Sequence, residues 1–398
     1  MSPPRLVLVT RRFWPLVGGA ETVMARLAAG FQSRGAATTV LTARWQADWP
    51  AETEHHGVRA VRLPNPAARG WGTWRYMQAL ARWLRTNRSQ FDLVYVSMLK
   101  HDAYAAVTEG RRGGFPVALR AEGAGLTGDC HWQLNARCGL RIKRRLMQAD
   151  ALLAPSPAIE RELIAAGYPR DRIRYLPNGV PVRPPRQPSE RQEARRALAE
   201  ADGVFTLAPD APLVVYTGRL HEMKGLDHLL SAWPAVLARH PGARLWLVGE
   251  GPFRPRLIEQ IENLGLSTSV LLAGLYDDVE DFLLAADVFV LPSLEEGMSV
   301  ALLEAMAAGL PVVASSIAAN ALLVEDGRHG RLVAPGDSAA LAAALAELLE
   351  QPDAAARLGS SARERVEARF SIDRMVEAHL ELFDRLLERR KTPARQDT

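Results

Sequence analysis

Val288-Phe-Val-Leu-Pro-Ser-Leu-Glu-Glu-Gly-Met-Ser-Val-Ala-Leu-Leu-Glu-Ala-Met-Ala-Ala-Gly-Leu-Pro-Val-Val313 is the stretch on which the fold turns. Val288 to Leu291 is an apolar run of strand length, the segment from Val300 carries a helical pattern, and Gly309 and Pro311 stop it before a second apolar run begins at Val312. Strand, helix and strand in close succession make a βαβ unit, which builds parallel sheet.

The same rhythm extends outward in both directions. Leu213 to Thr217, Arg244 to Val248, Val270 to Ala273 and Arg331 to Val333 read as further strands separated by helical patterns. An earlier series runs from Arg5-Leu-Val-Leu-Val-Thr10 through Val40-Leu-Thr42, Val58 to Leu63, Leu93 to Val96, Val117 to Arg120 and Ala151 to Pro155, ending at Ile173 to Leu176. Between the two series lies a stretch with Pro181, Pro184, Pro185 and Pro188, read as a linker. Ala355 to Arg390 reads as two amphipathic helices broken near Phe370-Ser371, with a frayed tail from Thr392. The expectation is an α/β protein of two Rossmann-like, doubly wound domains, residues 1–180 and 181–365, and a last helical segment over 366–391. A length of 398 residues agrees, giving about 2.7 units by the usual domain size. Ligands of such sheets bind outside the carboxyl ends of the strands, so the cleft between the domains is the expected site.

Composition narrows the function. The chain has 48% hydrophobic and 24% charged residues and no apolar run long enough to span a bilayer, which predicts a soluble, cytoplasmic protein. A net charge of +4, from 49 basic against 45 acidic residues, gives no ground for a nucleic-acid partner. Cys130 and Cys138 form neither a CxxC pair nor a zinc set, and HExxH, Asp-x-Asp and P-loop motifs are absent, so no metal or cofactor is expected.

Four loops carry candidate chemistry. In Thr217-Gly-Arg-Leu-His-Glu-Met-Lys-Gly225, Arg219 and Lys224 follow a strand and precede a helix, which suits them to a phosphate; two solvated cations are the plainer reading. Glu296 and Glu304 are eight apart, about 2.2 turns and about 12 Å on one helix, with Gly297, Met298 and Ser299 opening it toward an anion. Glu304 stands in an apolar stretch and needs partners such as ribose hydroxyls; a capped helix with one exposed Glu is the alternative. Gly249 and Gly251 make a tight turn at the same edge, since Arg254 occupies the third position of a dinucleotide fingerprint. In the first series, Gly18 and Gly19 allow close backbone approach by a ligand.

In this order, Gly18-Gly-Ala-Glu21, Leu176-Pro-Asn-Gly-Val180, Gly218-Arg219 with Lys224-Gly225, Gly249-Glu-Gly-Pro252, and Glu296-x7-Glu304 followed by Ala305-Met-Ala-x-Gly-x-Pro-Val-Val313 resemble the retaining GT-B glycosyltransferases of family 4, the glycosyl transferases group 1. The resemblance covers nearly the whole chain. It implies a GT-B fold whose second domain binds a nucleotide-diphosphate sugar, with Arg219 and Lys224 on the diphosphate, Glu296 on the sugar and Glu304 on the ribose. It also implies last helices that brace the first domain, and a metal-independent hexosyl transfer to a glycan or lipid-linked acceptor in envelope or exopolysaccharide synthesis. A noncatalytic nucleotide-sugar-binding protein of the same fold is the other reading. One position departs from the family pattern: after Val117 to Arg120, where many members carry a His, this chain has Glu122. Glu122 is open to four roles: a bond to a donor hydroxyl, acceptor contact, a base, or capping of its own loop. Gly19, Glu122 and His101 are the acceptor-side candidates. Arg137, Arg141, Lys143, Arg144 and Arg145, with Trp71, Trp74, Tyr76 and Trp83 elsewhere, offer an anionic bilayer a peripheral docking face. Against this, Trp74, Met77, Ala81 and Leu84 read as an ordinary core stripe.

Overall fold

The computed structural model describes residues 3–66 and 71–391; the tail from Thr392 falls outside them. Among the described residues two compact units emerge, one from those up to Leu16, from Ala20 to Asn178 and from Ile372 onward, the other from Val17–Gly19 and Gly179–Ser371. The divisions thus fall at Asn178/Gly179 and Ser371/Ile372, against expected boundaries of 180 and 365.

The first unit holds an eight-stranded sheet of β1 (Leu6–Val9), β2 (Thr38–Arg44), β3 (Glu52–His55), β4 (Val58–Pro64), β5 (Leu93–Ser97), β6 (Val117–Arg120), β7 (Ala151–Ala154) and β8 (Ile173–Tyr175). Its order is β3-β4-β2-β1-β5-β6-β7-β8, parallel except that β3 runs antiparallel to β4. The central strands β1, β5, β6 and β7 are buried at every position, which is why they read as continuous apolar runs rather than alternating ones. β3 gave no such signal because Glu52, Thr53, Glu54 and His55 are all exposed or half-buried. It is set by the turn at His56 and Gly57, both at positive φ (49° and 75°), as a tight hairpin requires.

The helix Trp71–Thr86 covers one face of this sheet with the expected stripe partly shifted: Leu84 is buried and Met77 packs against the core as expected, but Trp74 turns outward. Gly72, Tyr76, Leu80 and Leu84 are buried, whereas Trp74 is 53% exposed. Gly72 sets this rotation: a Cβ there would lie 2.1 Å from the Pro66 carbonyl oxygen, so only glycine lets that turn of helix press against the chain leaving β4. The final helix, Ile372–Lys391, belongs to the first unit. Phe383 packs edge-on to Phe31 at 5.6 Å, and Val376 sits where a Cβ on Gly30 would meet it at 2.5 Å.

The second unit carries a six-stranded parallel sheet, β11-β10-β9-β12-β13-β14, from β9 (Leu213–Thr217), β10 (Arg244–Val248), β11 (Val270–Gly274), β12 (Val288–Leu291), β13 (Val312–Ser315) and β14 (Arg331–Val333). Counted from β9, this is the 3-2-1-4-5-6 order of a dinucleotide-type fold. Successive crossovers run outward in one direction from β9 and then in the other from β12, so the connections leaving β9 and β12 part company and leave a crevice at their carboxyl ends. In the first sheet the corresponding switch lies between β1 and β5. The helix Pro352–Arg369 packs through Gly359, where a Cβ would lie 2.1 Å from the Gly309 carbonyl oxygen.

Candidate functional site

In the second unit, the loops after β9, β10 and β12 meet through their backbones. Gly225 at φ 62° caps the helix Leu226–Arg239, and a Cβ on it would stand 2.2 Å from the Pro292 carbonyl oxygen. Leu294 N–H donates to the Met223 carbonyl at 2.8 Å, tying the β12 loop to the β9 loop from its other side. Gly249 and Gly251 approach Gly218 and Leu220 as closely: added Cβ atoms would lie 1.9 Å and 2.1 Å from those carbonyl oxygens. The glycine-rich turn after β10 is therefore a packing device.

This joinery brings Lys224 to Glu296. Lys224 Nζ donates to Glu296 Oε1 at 2.6 Å, and the buried Ser293 hydroxyl donates to the same oxygen at 2.8 Å. The Glu296 side chain is only 9% exposed and the Lys224 side chain 24%, so the pair is a half-buried unit, not two surface charges. Arg219 is exposed on the same loop, and its carbonyl accepts the phenol of buried Tyr216 at 3.0 Å. Burial, and then the Glu296 charge, hold the Tyr216 phenol well above its ordinary pKa, so it remains a donor.

The spacing argument for Glu296 and Glu304 fails in one respect. The helix spans Val300–Ala307 with Ser299 as N-cap, its hydroxyl accepting from Leu302 N–H at 3.2 Å. Glu296, Gly297 and Met298 precede the helix, because Ser299 supplies its cap. Glu304 is thus one turn into the helix and half-buried, while Glu296 is a loop residue. The helix still opens toward that loop, as does Leu226–Arg239 beyond Lys224, and both amino ends bear a partial positive charge. Gly19, exposed, and Gly18 group with this unit, and a Cβ on Gly19 would touch Val300 Cγ2 at 4.0 Å.

In the first unit, the candidate residues cluster on the loops after β5 and β6. Glu122 is held by two groups: Ser97 Oγ donates to Oε1 at 2.7 Å, and Arg120 Nε lies 3.0 Å from the same oxygen. Its side chain is 12% exposed. Burial pushes its carboxyl upward and Arg120 works against that. Glu122 does not cap its own loop; Asp129 does, accepting from Glu122 N–H at 2.9 Å and Leu99 N–H at 3.1 Å. Between Ser97 and Leu99, Met98 sits at φ 72°, a conformation a non-glycine residue adopts at a cost of about 1–3 kcal/mol and that concentrates at functional sites. His101 opens the helix His101–Gly113, edge-on to Trp132 at 5.2 Å. Burial, with Arg11 and Lys100 nearby, lowers its pKa and favours the neutral ring. Next to it Asp102 is pushed up to about 6 by burial, against the pull of Arg11, whose Nη1 lies 3.4 Å away.

Ser97, Asn178 and Ser293 are the polar residues that sequence reasoning missed. Asn178 lay within a quoted motif, but its partner is Arg120 Nη2, 58 residues away, and no local pattern reveals such a pair.

Residues 18–179 match the family described as "Glycosyl transferase 4-like domain", and residues 211–351 match "Glycosyl transferases group 1". Together these stretches take in most of the chain, which belongs to the group 1, family 4 glycosyltransferases. Among its relatives is the lipopolysaccharide core biosynthesis glycosyltransferase LpsE of Rhizobium meliloti, 36% identical over 234 residues. That match spans 59% of this chain and 64% of LpsE, a little under two thirds of the relative's length. Among solved structures, sucrose-phosphate synthase from Thermosynechococcus elongatus has a TM-score of 0.80 at 22% identity, covering 97% of this chain and 100% of that one. Anabaena Alr3699/HepE, solved with UDP and glucose, has a TM-score of 0.78 at 22% identity, covering 96% and 99%. These likenesses establish the GT-B fold. Among the described residues, no helix is long and apolar enough to cross a membrane.

Proposed function

We propose that the protein is a retaining, metal-independent hexosyltransferase that moves a sugar from a nucleotide-diphosphate donor to a glycan or lipid-linked acceptor in envelope or exopolysaccharide synthesis. The observation that carries this reading is the Lys224–Glu296 pair at the switch point between β9 and β12, flanked by two helix amino ends. A diphosphate leaving group gains charge as the anomeric C–O bond breaks, and fixed donors at that spot lower the barrier because they need no reorganisation. Lys224 and Arg219 supply the cations and the helices Leu226–Arg239 and Val300–Ala307 the N–H groups, so side chains and backbone take the part a metal plays elsewhere. Glu296 accepts sugar hydroxyls, and Glu304 accepts the ribose hydroxyls. The acceptor oxygen bonds the anomeric carbon on the face the diphosphate leaves, which takes the bonding electron pair and the acceptor's proton.

On the first unit, Glu122 accepts a hydrogen bond from a substrate hydroxyl, and His101, as a neutral ring, lines the acceptor side. LpsE acts in lipopolysaccharide core biosynthesis, which supports an envelope glycan as acceptor. Peripheral contact with an anionic bilayer is supported by one face of the first unit, where exposed Arg137, Arg141 and Arg144 alternate with Leu134 and Leu140, 67% and 60% exposed.

The test is a thermal-shift screen of UDP-, GDP- and ADP-sugars in EDTA, followed by transfer assays with the stabilising donor, since a ligand that binds the folded state raises its stability by mass action. A shift with one sugar nucleotide in EDTA and a product of unchanged anomeric configuration supports the reading. No shift without added metal overturns the metal-independent part, and an inverted product overturns the retaining part.

A further inference from the structure

Arg120 is the last residue of β6 and is 1% exposed. A guanidinium at that depth is costly, and a buried ion pair returns too little to be retained for stability alone. The strand is apolar on either side of it, yet the arginine does not escape to solvent; it is enclosed by functional groups. Nε lies 3.0 Å from Glu122 Oε1, and Nη2 donates to Asn178 Oδ1. Tyr95 on β5 also faces the guanidinium, and its hydroxyl lies 3.2 Å from His379 Nε2 on the final helix. Asn178 is the last residue of the first unit before the chain passes to the second. The guanidinium therefore holds Asn178 by a hydrogen bond and Glu122 by charge at 3.0 Å, Nε donating no hydrogen bond of its own, and its planar shape fixes the two contacts relative to one another as a lysine ammonium could not.

We propose that Arg120 is a positioning residue that locks the Glu122 carboxylate to Asn178, so that Glu122 is correctly set only while the Leu176-Pro-Asn-Gly179 junction holds this conformation. The proposal rests on Glu122 contacting substrate. Ser97 completes the arrangement by donating to the oxygen that Arg120 faces. The charged groups turned toward Glu122 are Arg120 from the end of β6, Asp129 from the helix Asp129–Asn135, and Glu21 from the helix Gly19–Ser33. The two carboxylates act in the same direction as burial and raise the Glu122 carboxyl. Burial is the largest influence and Arg120 and Ser97 oppose it, leaving the carboxyl above its ordinary value.

The experiment compares Arg120→Lys, Asn178→Ala, Ser97→Ala and Glu122→Gln in the full chain. The Glu122 carboxyl is titrated by carbon NMR, assigned by its absence in Glu122→Gln, and turnover is measured against pH. Ser97→Ala removes a donor to the carboxylate and Arg120→Lys draws the cation back from it, and weakening either influence raises the carboxyl pKa, so both are expected to move the titration and the acid limb of kcat upward by about half a unit or more. Asn178→Ala is expected to lower kcat by about tenfold with donor KM within about twofold, because it frees the fork while sparing the donor loops. A purely structural Arg120 would lower Tm and leave both the titration and the acid limb in place, which overturns the proposal; Ser97→Ala and Asn178→Ala decide the matter if Arg120→Lys does not fold. Wild-type turnover in Glu122→Gln overturns the substrate contact itself. Impaired Glu122→Gln beside unaltered Arg120→Lys, Ser97→Ala and Asn178→Ala overturns only the positioning role. The NMR titration stands whether or not an acceptor has been found.

Discussion

Lys224 and Glu296, 72 residues apart, share a 2.6 Å hydrogen bond that ties the loop after β9 to the loop after β12 at the edge of the crevice. Each residue therefore has a structural duty besides any ligand it meets. Lys224→Ala leaves Glu296 largely buried with Ser293 as a neutral partner. It is expected to cost about 1–2 kcal/mol in a urea melt, discounted from a fully buried pair because Lys224 is partly exposed. Transfer is expected to fall by about 100- to 1000-fold.

Arg219→Ala separates the two duties. Arg219 is exposed, so stability should stay within about 0.5 kcal/mol while transfer falls by about 100-fold. A large drop in Tm with normal turnover would show that the side chain braces the loop and does not serve the diphosphate.

Gly225→Ala tests the backbone joinery. Alanine there meets both a left-handed φ of 62° and the Pro292 carbonyl at 2.2 Å, for an expected loss of about 1–3 kcal/mol and weaker nucleotide binding in calorimetry. Gly203→Ala is the control, with nothing within 4 Å of the added carbon; it should leave affinity unchanged.

Two buried groups give pH dependences of opposite sign. Burial depresses His379 to about 3 from 6.5. The unfolded chain then takes up a proton that the native state refuses, so this stability is present above 6.5 and is lost as pH falls toward 3. Burial raises Asp102 from 3.8 to about 6; its contribution is full below 3.8 and lost as pH rises through about 6. Urea melts from pH 3 to 8 should therefore show His379→Phe removing the fall in stability as pH drops below 6.5, and Asp102→Asn removing the loss that builds as pH rises from 3.8 to about 6.

Vesicle flotation examines the basic face. Arg141→Glu combined with Arg144→Glu should abolish retention on phosphatidylserine vesicles, at about 1 kcal/mol per charge removed, and leave transfer to a soluble acceptor intact. Equal flotation of wild type and variant would discard membrane docking through this helix.

Much of the architecture was legible because parallel strands buried on both faces have no choice but to be apolar, and β1, β5, β9 and β12 announce themselves that way. β3 did not, since its pairing to β4 depends on a turn and not on burial. Lys224 and Glu296 could be located by loop and strand position, but their bond could not, because it depends on Gly225 approaching Pro292 from a distant part of the chain. The helical spacing of Glu296 and Glu304 misled for a local reason: a periodicity count does not see that Ser299 starts a helix three residues after Glu296. Arg120 was read as the end of a strand, and only the fold reveals what surrounds its guanidinium.

The glycine contacts of the second unit also set where variation is tolerable. Gly225, Gly249 and Gly251 each press against a carbonyl oxygen, so any side chain there must displace main chain. A library made to redirect this protein toward other donors would waste its diversity at those three positions. Exposed Arg219, beside them on the same rim, can be exchanged without moving the strands beneath it, at the cost only of the diphosphate contact assigned to it.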